Sequence, residues 1–261
     1  VTGYLKRSSS VLNLPLIYKK KGMWPNKFYR LLKNINKSKK EKHFVISRHK
    51  ASGSNAIGYY LERNNWIRMS NNTKDHGKNY PKSKVESMPV ELTDLENQYR
   101  NNKITEDVYM SKRKKIFDTF NESKHYNSFV IYNKSSSQKV LKNGKNLFNS
   151  MENVNGKYVR VFIGDESFGE GMSLYNTLNI HIFDSYYTKQ GEEQAIARIV
   201  RRCSHKDISF NKREVKVYKY YHISTNRDTN DEIIEKYANM KQYLLKQIID
   251  CAIESSIEYV E

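Results

Sequence analysis

The stretch from Val159 to Arg201 most constrains the fold, because strand-like and helix-like patterns alternate within it. An apolar run at 159–164 precedes a glycine-containing loop at 165–174, and a second apolar run occupies residues 179–184. Short runs rich in β-branched and aromatic residues predict strands. A strand, a glycine-bearing loop, a second strand and a helix follow each other at the edge of α/β domains that handle phosphate groups.

The segment that follows predicts a helix with a basic face. Gln194, Arg198 and Arg201 are four and three residues apart, so a helix over 194–201 would place them on one side. Guanidinium groups stay charged and bind phosphate oxygens in pairs. The spacing alone is equally compatible with a solvated basic surface. The opposite face would carry the apolar residues Ile196, Ile199 and Val200.

These patterns together resemble motifs five and six of superfamily 2 helicases, in which a Glu-Gly loop precedes a Q-x-x-G-R-x-x-R helix. The resemblance is closest to the nucleoside-triphosphatase and early-transcription helicases of large cytoplasmic DNA viruses (poxvirus, asfarvirus and mimivirus-like). That group's E-G-x-x-L loop, H-I strand and Ser-His pair match Glu170–Leu174, His181-Ile182 and Ser204-His205.

Weaker matches extend the resemblance upstream. The sequence at 148–156 is similar to the group's F-N-S-x-E-N-x-x-G, and residues 42–47 resemble the strand of motif four. The resemblance covers residues 24–70 and 126–223. It implies an α/β fold: a RecA-like helicase C-terminal lobe with a mainly parallel sheet and helices on both faces.

The chain divides into three parts under this interpretation. Residues 1–23 would be a segment leaving a preceding lobe, 24–223 the RecA-like C-terminal domain, and 224–261 a C-terminal helical extension. A helical insert is expected at about 70–124, where residues 91–99 and 105–120 read as two helices. We expect Leu92, Leu95 and Tyr99 to pair with Tyr109, Ile116 and Phe120.

The C-terminal helix should begin at Thr229 or Asn230, since these residues cap helices well and acidic residues follow them. Its apolar stripe is interpreted as a packing face, formed by Ile233, Tyr237, Met240, Leu244, Ile248 and Ala252. The polar stretch 133–145 is expected to be a loop.

The resemblance implies roles for particular residues. Arg201 corresponds to the arginine finger on the γ-phosphate, with Arg198 as its companion and Gln194 as a positioning group. Gly169, Glu170 and Gly171 would couple the nucleotide to the nucleic acid, and Ser47 and Arg48 would contact the nucleic-acid backbone. No metal site is predicted, because the histidines lack ligand spacing.

Two positions depart from the family pattern. Ala197 stands where the family has glycine, and Ser173 stands where other helicases often carry aspartate. A third departure is larger, because no G-x-x-x-x-G-K-[ST] sequence and no Asp-Glu-x-His magnesium motif occur. We therefore expect ATP and Mg²⁺ to be held mainly by a lobe outside this chain, which starts at Val1. As half of a larger nucleic-acid-dependent ATPase, the chain alone should be inactive.

Charge indicates the partner. Lysine and arginine total 46 against 28 acidic residues, a net charge of +18. Such a surface attracts nucleic acid through salt-sensitive phosphate contacts. The resemblance favours DNA over RNA and adds an N-terminal RecA-like lobe and a viral RNA polymerase as partners. It also suggests the virion and host cytoplasm as locations, and no apolar run reaches membrane-spanning length.

The interpretation that follows is the arginine-finger lobe of an ATP-dependent DNA helicase, translocase or DNA-dependent ATPase acting in viral transcription. A chromatin-remodelling type of translocase shares these motifs. The alternative is a non-catalytic basic module that docks nucleic acid or a polymerase, and Ala197 and the missing phosphate loop favour it. The two cysteines, Cys203 and Cys251, form no zinc pattern and are expected to be small buried residues.

Overall fold

A computed structural model describes residues 24–70, 85–87, 90–120, 127–132, 138–165 and 172–256. Within these ranges the chain forms seven strands and seven α-helices. The strands are β1 (Lys42–Ile46), β2 (Ile67–Ser70), β3 (Val85–Ser87), β4 (Ser128–Tyr132), β5 (Val161–Gly164), β6 (Thr177–Ile182) and β7 (Lys216–Lys219). The helices are α1 (Asn26–Lys37), α2 (Ala56–Arg63), α3 (Val90–Arg100), α4 (Glu106–Phe120), α5 (Gln138–Asn149), α6 (Lys189–Ile196) and α7 (Asn230–Glu254).

The seven strands form one sheet in the order β3-β2-β4-β5-β1-β6-β7. Every neighbouring pair is parallel, and Phe44 at the centre of β1 is in register with Phe162 and Ile180. Parallel neighbours need a crossover connection, which places helices over the sheet. The predicted α/β fold with a mainly parallel sheet is confirmed.

Alternate residues of the central strands point to opposite faces of the sheet. Phe44 and Ile46 join a core cluster that contains residues of α3, α4, α5 and α6, whereas Val45 packs with residues of α1 and α2. Each face therefore has its own apolar core, and the strands read as continuous apolar runs because both faces are covered.

The predicted helical pair at 91–120 is present as α3 and α4. Leu92 and Leu95 are buried, and the rings of Tyr99 and Tyr109 stack with centroids 4.4 Å apart. Within α4, Tyr109 and Phe117 are buried and Ile116 is only half-buried, while the Phe120 side chain lies outside the described part of the structure. The same region contributes β3, an edge strand beside β2 that the sequence pattern did not predict.

Two other expectations about elements were wrong. Residues 138–145 belong to α5 and not to a loop, because burial of Leu147 and Phe148 outweighs the weak helix preference of Gly144 and the asparagines. The apolar stripe of α7 is largely exposed, with Tyr237 at 42 % and Ile248 at 66 % of full exposure.

Among the described residues, no helix combines the length and apolarity that crossing a bilayer requires. The expected segment 1–23 and residues 71–84 of the expected insert lie outside the described residues.

Candidate functional site

Arg198 and Arg201 both lie beyond the end of α6. Thr188 caps the start of this helix by accepting a hydrogen bond from the Gly191 N–H. The helix ends at Ile196 and does not continue to Arg201 as predicted. The N–H groups of Arg198 and Ile199 instead bond to carbonyls three residues earlier, which tightens the chain. We call residues 197–204 the arginine turn.

The arginine turn is fastened to the amino end of β6. The Leu174 N–H donates to the Arg198 carbonyl at 3.1 Å, and the Asn176 N–H donates to the Ser204 carbonyl at 2.8 Å. Ser204 also accepts from the Arg201 N–H at its hydroxyl (3.2 Å) and donates its own N–H to the Arg201 carbonyl (3.0 Å). These bonds fix the backbone on both sides of Arg201.

The Ser-His pair that follows the arginines has a structural function here. His205 is hydrogen-bonded through Nε2 to the Thr177 carbonyl at 2.9 Å, and its Nδ1 lies 2.9 Å from the Ser204 hydroxyl. Between Arg201 and Ser204, Cys203 adopts a φ of 62°, in the left-handed region that non-glycine residues rarely enter. The local backbone therefore accepts strain to complete the turn.

The Arg201 side chain is exposed, but two hydrogen bonds hold it in one position. Its Nη1 donates to the Ser173 hydroxyl at 2.7 Å, and its Nε donates to the Ala197 carbonyl at 3.2 Å. A guanidinium has five N–H donors, so the group can still offer a charged fork to a ligand. Arg198 is half-buried, and Gln194 is exposed on the last turn of α6.

Ser47 and Arg48 lie at the opposite edge of the sheet, directly after β1. The Ser47 side chain is buried and its hydroxyl donates to the Asp184 carboxylate, which also accepts from the Arg48 N–H at 3.0 Å. Gly53 makes this arrangement possible, since a Cβ there would lie 1.7 Å from the Ser47 Oγ.

The Arg48 guanidinium packs over the Tyr187 ring, 4.3 Å from its centroid, and donates to the Ser185 carbonyl at 3.3 Å. Of the two residues predicted to meet a nucleic-acid backbone, Arg48 is thus the more accessible, while the Ser47 hydroxyl serves the loop itself.

The chain is similar in sequence to several viral proteins. Over 150 residues the chain is 29 % identical to a putative ATP-dependent RNA helicase of Acanthamoeba polyphaga mimivirus, covering 54 % of this chain and 18 % of the relative. Over 151 residues it is 30 % identical to nucleoside triphosphatase I of Choristoneura fumiferana entomopoxvirus, covering 58 % and 22 %. This chain is related to viral helicases and nucleoside triphosphatases. No protein-family model matches it.

A third viral relative is an early transcription factor large subunit homolog of African swine fever virus, 28 % identical over 48 % of this chain and 11 % of the relative. The matched part of the helicase-related chain spans about a fifth or less of these relatives. Among solved structures, this chain is similar to the C-terminal part of the Fun30 ATPase domain, with 16 % identity and a TM-score of 0.39. The alignment covers 82 % of this chain and 44 % of the Fun30 chain.

The geometry explains the two family departures in this helicase-related lobe. Ala197 is exposed at the end of α6 with a φ of −60°, a helical value that needs no glycine. Ser173, which stands where the helicase pattern often has an aspartate, accepts a hydrogen bond from Arg201 at its hydroxyl. Gly169, Glu170 and Gly171 lie outside the described residues, between Asp165 and Met172.

Sequence reasoning missed the residue that positions Ser173. Asn149 donates from Nδ2 to the Ser173 carbonyl at 2.9 Å and accepts from the Tyr175 N–H at 2.8 Å. Asn153 bonds four backbone groups of the same region, the Phe148 and Val159 carbonyls and the Tyr158 and Val159 N–H groups. The F-N-S-x-E-N pattern signalled both asparagines, but only the fold shows what they hold.

Lys42 was likewise not predicted as part of this edge. It is fully buried at the start of β1, and burial lowers the pKa of its ammonium group to about 7. The ammonium donates to the Phe148 carbonyl at 2.7 Å and lies 4.4 Å from the centre of that ring. Lys42 therefore ties the end of α5 to the centre of the sheet.

Proposed function

We propose that this chain is the arginine-bearing lobe of a nucleic-acid-dependent ATPase, and that Arg201 acts on ATP held by another lobe. The supporting observation is a guanidinium that is both exposed and held in place, by Ser173 and by the Ala197 carbonyl. A cation fixed before the substrate arrives loses little entropy when it meets a phosphate. The relatives are named as helicases and a nucleoside triphosphatase, which suits such a role.

ATP with Mg²⁺ would supply the γ-phosphoryl group that is cleaved. In this proposal Arg201 stabilises the charge that develops there, and Arg198 binds a phosphate oxygen or the opposing lobe. Gln194 orients these groups or the attacking water. An arginine finger of this kind accelerates phosphoryl transfer by about 10³ to 10⁵.

Nucleic acid is the proposed second ligand, with DNA preferred over RNA. Arg48 would contact its backbone at the carboxyl edge of the sheet, Ser47 would shape the loop that presents Arg48, and the 169–171 loop would couple the two ligands. One relative is named as an early transcription factor subunit. By that likeness we extend the proposal to viral transcription, with a viral RNA polymerase as partner in the virion or the host cytoplasm.

The test is ATP turnover by the full-length gene product that contains this chain. Arg201→Ala should lower kcat by about 10³ or more, while the affinity for nucleic acid without nucleotide stays within twofold. Arg201→Lys should recover little, since lysine keeps the charge but loses the planar fork. Arg227, exposed on a loop before α7, provides the matched control through Arg227→Ala.

Two results would contradict the proposal in different ways. Full turnover in Arg201→Ala would remove Arg201 from the mechanism. A wild-type protein that binds nucleic acid but never hydrolyses ATP would assign the chain to the non-catalytic docking class.

A further inference from the structure

A groove opens beside the arginine turn, at the amino edge of the sheet. Its volume is about 550 Å³, and its walls come from α3, α4, the end of α5 and the chain around residues 202–207. Only two acidic side chains, Glu96 and Asp207, line it among the described residues. Six cationic side chains line it, from Arg100, Arg113, Lys142, Lys145, Arg202 and Lys206.

The groove is formed by anchored elements and therefore exists before any ligand binds. Arg113 on α4 makes a two-pronged contact with Glu152, with nitrogen–oxygen distances of 2.9 and 2.8 Å. Leu92 and Phe117 fix the same helices to the core of the sheet. A paired arginine–carboxylate contact is geometrically specific, so it holds the outer wall at a set distance.

The positive charge of the groove is poorly balanced. Arg113 is paired with Glu152, so the other five cationic side chains of the groove face only the carboxylates of Glu96 and Asp207 among the described residues that line it. Burial and the nearby charges of Arg100 and Arg201 lower the pKa of the Lys145 ammonium group, although Glu96 opposes this shift. An anion in the groove would relieve that repulsion.

Aromatic and apolar surface accompanies these cations. Tyr175 is 45 % exposed and Met151 is 64 % exposed, and both line the groove. The Tyr175 backbone is held by Asn149. Lysine and arginine side chains beside an exposed aromatic ring are the combination that binds single-stranded nucleic acid, because phosphates meet the cations and bases stack on the ring.

A second cavity of about 530 Å³ adjoins the groove, since Lys142 and Lys145 line both. This cavity extends towards Tyr132, at the end of β4. Two cavities that share a pair of lysines suit an extended polyanion better than a single nucleotide.

We infer that this groove binds the phosphate backbone of a nucleic-acid strand, with a base stacked on Tyr175. The inference rests on the nucleic-acid partner of the proposed function but not on ATP turnover. It adds a contact at the edge of the sheet opposite to Ser47 and Arg48, next to the turn that carries Arg201.

The test is the affinity of the full-length protein for a fluorescein-labelled single-stranded oligothymidylate of about 12 nucleotides, a length within the range of single-strand sites. The double variant Lys145→Gln/Arg202→Gln should weaken binding at least about tenfold. It should also lower the slope of log Kd against log salt by about 1.4, since each lost phosphate contact removes about 0.7. The control is Lys241→Gln/Lys246→Gln, which removes two exposed charges on α7.

Variants of Tyr175 distinguish the binding of a nucleic-acid strand from the binding of a simple anion. Tyr175→Ala should weaken oligothymidylate binding about tenfold, whereas Tyr175→Phe keeps the ring and should stay within twofold. Equal affinities for both Tyr175 variants, or equal losses in the groove and α7 double variants, would overturn the inference. So would a polyglutamate peptide whose binding depends on Lys145 and Arg202 when oligothymidylate binding does not.

Parallel assays keep this inference separate from the proposed function. Arg201→Ala should lose ATP turnover and retain oligothymidylate affinity, and the groove variants should show weakened affinity. If the wild-type protein showed no ATPase activity and the groove variants lost strand binding, strand binding by the groove would be supported. Only the arginine-finger role of Arg201 would be refuted.

Discussion

Arg201 depends on a neighbour that is not itself charged. The Ser173 hydroxyl receives the Arg201 Nη1 hydrogen at 2.7 Å, and Asn149 holds the Ser173 backbone. Ser173→Ala should therefore let the guanidinium move and lower kcat for ATP about tenfold, because a hydrogen bond to a charged group contributes about 1.5 to 3 kcal/mol. Steady-state turnover of the full-length protein measures this effect.

Ser173→Thr is the matched control, since it keeps the hydroxyl and should restore most of the rate. Affinity for nucleic acid without nucleotide should not change in either variant. Equal turnover by Ser173→Ala and wild type would show that Ser173 does not position Arg201.

At the level of single residues, the sequence indicated which side chains have the right chemistry but not what holds them. Arg198 and Arg201 were identified by type and spacing, whereas the contact of Arg201 with Ser173 joins residues 28 positions apart. Cys203 was expected to be buried, yet Cys203 and Cys251 are both exposed. The position of Cys203 follows from its left-handed backbone conformation. Because Cys203 is not glycine, its residue type does not predict that conformation.

Among the elements, α7 shows what a cap can determine. Thr229 accepts a hydrogen bond from the Glu232 N–H at its hydroxyl, and the Glu232 carboxylate accepts from the Thr229 N–H at 2.8 Å. This reciprocal capping box was predicted only as a cap at Thr229 or Asn230. Asp231 then joins the helix to the body through the Lys27 ammonium at 2.8 Å.

Thr229→Ala should destabilise the start of α7 by about 1 kcal/mol. Most of α7 beyond this anchor is exposed, so the loss should appear as local opening more than as global unfolding. Hydrogen exchange of the amides in the first two turns of α7 measures it directly. Thr225→Ala, on the exposed loop before the helix, is the control, and unchanged exchange in Thr229→Ala would contradict the role of the cap.

The exposed stripe of α7 marks the limit of periodicity as evidence about elements. A repeat of apolar residues predicts a helix with one apolar face, and both are present in α7. The repeat does not show whether another surface covers that face. Its interpretation as a packing face was wrong for the exposed residues Tyr237, Met240, Leu244 and Ile248. Helix α6 shows a related limit, because contacts to residue 174 end it before Arg201.

For the whole molecule, the fold class was predictable and the strand order was not. The alternation of strand-like and helix-like segments indicated an α/β fold. The resemblance to helicases implied the mainly parallel sheet with helices on both faces. The order β3-β2-β4-β5-β1-β6-β7 depends on contacts between distant segments, and β3 lies in a polar stretch whose three residues carry little strand signal. The common direction of the strands places the two groups of candidate residues at opposite ends of the sheet. Ser47 and Arg48 follow β1, whereas the arginine turn is bonded to residues that precede β6.

A buried chain of polar groups crosses this sheet and links it to α1. The His43 Nε2 bonds to the Ser38 carbonyl, so its Nδ1 is the acceptor for the His181 Nε2–H at 3.0 Å. The His181 Nδ1 then accepts from the Tyr220 hydroxyl at 2.8 Å, and Tyr220 accepts from the Asn34 amide at 3.0 Å. In this arrangement both imidazoles are neutral, and each N–H or O–H donor of the chain meets an acceptor.

This buried chain of polar groups predicts that the protein loses stability as pH falls below about 6.5. Burial lowers the pKa of His43 from its ordinary 6.5 to about 4 and lowers that of His181 well below 6.5. In the window between about 6.5 and 4 the unfolded chain binds these protons and the folded chain does not, so the contribution to stability is complete above the window and lost within it. At pH 5 the loss from His43 should be about 2 kcal/mol, and His181 should contribute in the same direction.

Urea unfolding between pH 8 and pH 5 measures this loss, and NMR of the imidazole carbons in the folded protein checks its origin. The His43 and His181 signals should remain those of neutral rings down to pH 5, and His43→Gln should reduce the dependence of unfolding free energy on pH. Titration of either ring near pH 6.5 in the folded protein would mean that protonation does not break the chain from Asn34 to Ser38. The acid loss would then have to come from groups outside the sheet.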